Sequence, residues 1–221
     1  CWMAAPFVLF PLAEQSIPSA VAGMINGAAP LFTAAIAAAW SRRLPVGTLL
    51  SGLLIGFVGV VGVNLPAARG GAGVLGLGLV LLATFLYGVA FNLTEPLEDR
   101  NGPLPVIWRA ELVALLLVTP AGLVGLAHST PTFPSLAAMA GLGVASTGIA
   151  FAAFTVLVGR VGSARASITV YLVPVVAIVL GLAVYGEPIA PLSLFGIALV
   201  LLGAWLSARG ARSVEGPESR I

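Results

Sequence analysis

The chain has 221 residues, of which 59% are hydrophobic and only 8% charged, against about 25% charged in a soluble domain. That excludes a water-soluble globular protein, and the ten basic residues, all arginine and scattered over short loops and the tail, form no groove for nucleic acid. One cysteine, Cys1, and one histidine, His128, exclude an internal disulfide and a Cys/His metal centre, and no cofactor is expected.

A helix needs about 20 apolar residues to cross the hydrocarbon core. From the start of the chain, residues 6–15 read as the second half of such a run, as if the sequence began inside a membrane helix. Seven complete runs follow, over 18–40, 46–65, 73–92, 104–127, 134–158, 163–184 and 191–208. The first of these carries Gly23, Asn26, Gly27 and Pro30, and the second Gly52 and Gly56; glycines four apart let helix backbones approach closely. The fourth places Arg109 and Glu111 roughly 8 and 10 Å from its start, on different faces because they are two residues apart. The fifth holds Ser146 and Thr147 in a Gly/Ala-rich stretch, where a hydroxyl either bonds back to its own helix or faces a cavity. In the sixth, Ser167, Tyr171 and Pro174 share one face. The connections, 41–45 and 93–103 among them, leave no room for a soluble domain. Trp40, Trp108 and Trp205 lie near run ends, as interface anchors do, and Trp2 lies at the start of the chain.

Arginines set the orientation, because cytoplasmic loops retain basic residues. With the 41–45 loop inside, Arg42, Arg43, Arg100, Arg160, Arg165, Arg209, Arg212 and Arg220 fall inside and only Arg69 outside. The polar tail, 209–221, is then cytoplasmic and expected to be disordered.

Sliding the chain along itself by 144 residues aligns Phe7 with Phe151, Phe10 with Phe154, Pro30 with Pro174, Gly52 with Gly196 and Gly59 with Gly203. Five helix steps, an odd number, separate the run at 18–40 from its partner at 163–184, so the copies run in opposite directions through the membrane. Residues 1–66 read as an incomplete first repeat and 72–208 as the second, with about 70 residues needed to complete the first. Inverted repeats of this kind underlie alternating access. The shift sets Gly23, Gly27 and Pro30 opposite Ser167, Tyr171 and Pro174, with Asn26 at the border of that face.

The stretch from Ser163 reads S-x-x-x-x-x-x-x-Y-L-x-P-V, followed by Gly181, by Gly186-Glu187-Pro188, and by G-x-x-L-x-x-x-G ending at Gly203. Upstream stands G-x-A-S-T-G-I-A-F, from Gly143 to Phe151. As a set these elements resemble the EamA-type drug/metabolite transporters over essentially all of residues 1–208. The resemblance implies an all-α polytopic membrane protein, an inverted-repeat bundle of five plus five helices with both termini cytoplasmic, that exports or exchanges small solutes such as amino acids. One departure is local: where the family often carries Gly-Glu after the fourth helix, this chain has Arg42-Arg43, for which a structural consequence is expected.

Polar groups deep in lipid face the bundle interior, so the expected solute-binding residues are Asn26, Pro30, Ser146, Thr147, Ser167, Tyr171 and Pro174. Arg109 either snorkels to the inner headgroups or attracts an anionic group, and Glu111 is a candidate proton carrier. The expected function is secondary transport of a small metabolite across a bacterial inner membrane; a passive channel and a non-transporting membrane subunit are the alternatives. An intramembrane enzyme would need a Ser–His pair, paired aspartates or a metal cluster within the membrane, which this sequence lacks. The expected partners are a small-molecule substrate and the lipid bilayer, with a homodimer left open.

Overall fold

The computed structural model describes residues 2–42, 47–65, 73–127, 129–180, 182–183 and 190–212. Among them every regular element is helical. Four helices are long and apolar enough to cross a membrane by themselves: α2 (Ser19–Ser41), α4 (Val74–Asn101), α5 (Pro103–Ala127) and α6 (Phe133–Val161). Shorter apolar helices accompany them: α1 (Ala4–Glu14), α3 (Thr48–Asn64), α7 (Ser163–Ser167, Ile168–Tyr171 and Leu172–Leu180) and α8 (Pro191–Arg212). The chain is an all-α polytopic membrane protein.

Glycine places α3 directly on α8. A methyl group on Gly52 would overlap Ser207 and the Gly203 carbonyl, one on Gly59 would overlap Val200 and the Gly196 carbonyl, and one on Gly203 would overlap the backbone of Gly56. The 144-residue shift exchanges these contacts: Gly52 with Gly203 becomes Gly196 with Gly59, Gly56 with Gly203 becomes Val200 with Gly59, and Gly52 with Ser207 becomes Gly196 with Val63. Leu53, Val60 and Val200 are fully buried along this seam, with Ile168 and Tyr171 of α7 packed over it. In water such burial would add to stability through apolar area; in lipid the gain is van der Waals contact, which only small residues let two backbones reach.

At the other pole, α4 packs against α1, α2, α6 and α7. Trp2 beside α1 meets Phe91 at 5.9 Å and Phe151 at 5.5 Å between ring centroids, and Phe91 meets Phe154 at 4.6 Å. These offset and edge-on rings hold α1, α4 and α6 together. By contrast, most side chains of α5 and of the first half of α6 point away from the rest of the protein.

Proline and glycine set the irregularities. In α2 the helix lapses at Gly27–Ala28, just before Pro30, and in α7 it tightens to a 3-10 turn over Ile168–Tyr171, just before Pro174. Proline lacks the N–H that would bond the carbonyl four residues back, so the turn ahead of it loosens. The two breaks lie at positions related by the same shift. In α6, Leu142–Ile149 is π-helical, within the glycine-rich stretch that carries Ser146 and Thr147.

One boundary differs from the sequence reading. Residues 93–101, expected as part of a loop, continue α4, whose 28 residues reach about 42 Å. That exceeds the roughly 30 Å hydrocarbon core, so the end carrying Glu95, Glu98, Asp99 and Arg100 emerges past the lipid tails. The helix persists there because its polar side chains bond to α2 and α7. Arg43, Arg69, His128, Gly181, the Gly186-Glu187-Pro188 element and the tail beyond Arg212 lie outside the described residues.

Candidate functional site

Arg109 and Glu111 of helix α5 line two different cavities. On one side, Met3 and Phe7 of the α1 region, Trp108, Glu111, Leu112, Ala114, Leu115 and Val118 of α5, and Gly143, Thr147 and Gly148 of the π-helical stretch line an open cavity of about 420 Å³. Glu111 is the sole ionisable side chain in that wall, and Thr147 faces it from α6. Glu111 Oε1 is buried with no hydrogen-bond partner among the described residues. A π turn inserts one more residue per turn than the α-helix expects, a feature concentrated at functional sites.

On the other side of α5, Arg109 lines a cavity of about 350 Å³ with Trp2 and with Ala90, Thr94, Leu97 and Asn101 of α4. The two-residue spacing that sends Arg109 and Glu111 to different faces therefore sends them to different cavities, with Ala114 lining both. The Trp2 indole Nε1, also on the second cavity, has no acceptor among the described residues.

The remaining candidates sit elsewhere. Tyr171 is 0% exposed: its hydroxyl donates to the Leu53 carbonyl at 2.7 Å, and its ring occupies the notch left by Gly56. Ser167 is equally buried and donates to the Ala164 carbonyl of its own helix at 2.8 Å. Pro30 is buried, Pro174 half-buried, and Asn26 half-buried with an unpartnered Oδ1. Tyr171 belongs to the contact region of α7 with α3 and α8, and none of Ser167, Tyr171 and Pro174 lines either cavity beside α5. The side chain of Ser146 lies outside the described residues.

A polar node that the sequence reading missed lies on α4. Asn92 Nδ2 donates to the carbonyls of Thr33 at 2.9 Å and Gly88 at 2.8 Å, while its Oδ1 accepts from Ser163 Oγ at 3.3 Å. One turn on, Glu95 Oε2 accepts from the Ser163 backbone N–H at 2.8 Å. Gly162, at φ 83°, has no side chain to cap α7, so a neighbouring helix supplies the cap. The available signal was the three-residue polar spacing of Asn92, Glu95 and Glu98, which suits a helix face better than a loop.

This architecture defines a polytopic helical membrane protein with interrupted helices beside open cavities, the general build of a membrane transporter. The model of the EamA-like transporter family matches residues 74–209, and the chain belongs to that family. It is similar to an uncharacterized transporter of Archaeoglobus fulgidus, 24% identical over 202 residues, covering 91% of this chain and 72% of the relative. It is also similar to a probable terminal-alkyne amino-acid exporter of Streptantibioticus cattleyicolor, 30% identical over 213 residues, covering 94% of this chain and 70% of the relative. A solved crystal structure at 21% identity superposes with a TM-score of 0.74 over 96% of this chain and 74% of its own, which shows the shared fold. Family and relatives point to a transporter of small molecules rather than an enzyme.

Proposed function

We propose that the protein is a secondary transporter that exports or exchanges a small amphipathic metabolite, an amino acid or similar solute, by alternating access across a bacterial inner membrane with its C-terminus in the cytoplasm. The observation that carries the reading is the cavity shared by α1, α5 and α6, where one carboxylate and one hydroxyl stand in an otherwise apolar wall. Glu111 meets the ammonium of the solute, Thr147 offers a hydrogen bond, and Phe7, Leu112 and Leu115 receive an apolar side chain. The exporter relative, named for an amino acid, supports the solute class. Exchange of the α3–α8 contacts under the 144-residue shift, and the matched breaks in α2 and α7, support two halves that swap conformations about a fixed seam.

Counterflow tests it. Full-length protein in liposomes loaded with leucine should take up labelled leucine saturably. Glu111→Gln should fold normally and lose dependence on the pH gradient. Non-saturable flux would identify a pore, and unchanged pH dependence in the variant would remove Glu111 from coupling.

A further inference from the structure

Glu98 lies one turn beyond Glu95, on the side of α4 that meets the turn between α6 and α7. It is 5% exposed, and neither carboxylate oxygen has a hydrogen-bond partner among the described residues. Oε2 lies against the Gly159 backbone, whose N–H partly offsets the burial of the carboxylate without meeting the geometry of a hydrogen bond, and a methyl group there would collide with it. The neighbouring donors are committed: the Ser163 N–H goes to Glu95, the Ser163 hydroxyl to Asn92, and the Gly162 N–H to the Val158 carbonyl at 2.8 Å.

Asp99 and Glu95 on α4 add like charge that raises the cost of ionising Glu98, and Arg42 at the end of α2, Arg109 on α5, Arg160 on α6 and Arg165 on α7 form no hydrogen bond to it. Burial outweighs the Gly159 N–H and pushes the Glu98 carboxyl up to about 7, and the cost of its charge disappears when the group carries a proton or when the junction opens to water.

We propose that Glu98 is a proton-binding site at the inner junction of α4 with the α6–α7 turn: the closed junction holds the neutral acid, and opening releases the proton to cytoplasmic water. The closed form binds one proton more than the open form, so closure is favoured at low pH and opening as pH rises. Glu95, already bonded to the Ser163 N–H, keeps the turn in register. The proton site is distinct from the cavity at Glu111 and does not depend on which solute that cavity takes.

Hydrogen exchange on the purified full-length protein, without substrate, reads this directly. Protection factors across residues 159–167 should fall by about tenfold per pH unit through the titration, the slope of a one-proton linkage. Glu98→Gln, isosteric and neutral, should hold high protection at every pH, and the infrared band of a protonated carboxyl seen in the unmodified protein should vanish from it. Glu95→Gln should lower protection at all pH values with the slope retained. A slope that persists in Glu98→Gln, or an unmodified protein whose protection ignores pH, overturns the proposal. Because no solute is added, either outcome stands apart from the counterflow result.

Discussion

The Tyr171 hydroxyl donates to the Leu53 carbonyl at 2.7 Å, and this bond pins the 3-10 turn of α7 to α3. Its ring rests on Gly56, so hydroxyl and ring together serve the contact between helices. Tyr171→Phe should cost about 1 kcal/mol, the net worth of one hydrogen bond, with KM for the solute unchanged. Gly56→Leu should cost more, because the ring has nowhere to go. Thermal unfolding in detergent alongside transport separates the two roles: a large rise in KM with normal stability would return Tyr171 to the solute site.

Glycines divide into two classes that substitution should reveal. Gly203→Val forces apart the backbones of α3 and α8 and should cost about 3 kcal/mol or prevent folding altogether. Gly78 has open space where a side chain would stand, and Gly78→Ala should stabilise α4 by about 0.5–1 kcal/mol through helix propensity alone. Unfolding curves for the pair check both signs.

Arg42 ends α2 at φ 53°, the left-handed region that a side chain enters at about 1–2 kcal/mol. Its N–H still bonds the Ala38 carbonyl, so the helix closes in the way a terminal glycine closes one. Arg42→Gly should therefore raise the unfolding midpoint by about 1 kcal/mol equivalent. A loss of stability would show that the guanidinium contributes more than the backbone strain it imposes.

Thr147 faces Glu111 across the larger cavity. Thr147→Val keeps the shape and removes the hydroxyl, so KM should rise about tenfold, the equivalent of about 1.4 kcal/mol. Thermal stability should stay within error. An unchanged KM would place the hydroxyl outside the solute's reach.

The membrane runs were legible because lipid permits few solutions: a spanning segment must be long, apolar and internally hydrogen-bonded. The end of α4 that carries Glu95 and Glu98 was not, since polar residues past the lipid look alike whether they sit in a loop or on a helix bonded to neighbours; Asn92 and Glu95 reveal their role only through Thr33 and Ser163. What Ser167, Tyr171 and Pro174 meet is tertiary information: the Tyr171 hydroxyl reaches the Leu53 carbonyl of another helix. Arg109 and Glu111 were separable from spacing alone. That Glu111 stands across from Thr147 depends on how α5 docks on α6, and no local pattern encodes it. The π-helical turn at Leu142–Ile149 left no mark beyond its glycines.

The α3–α8 seam ties the two halves of the sequence to each other over time. Gly52 and Gly59 answer to Gly203 and Gly196, the counterparts of one another under the shift, so a bulkier residue in one half is rejected by the backbone of the other. At these four glycines the sequence likeness and the backbone contact fall on the same positions, each a condition of the other.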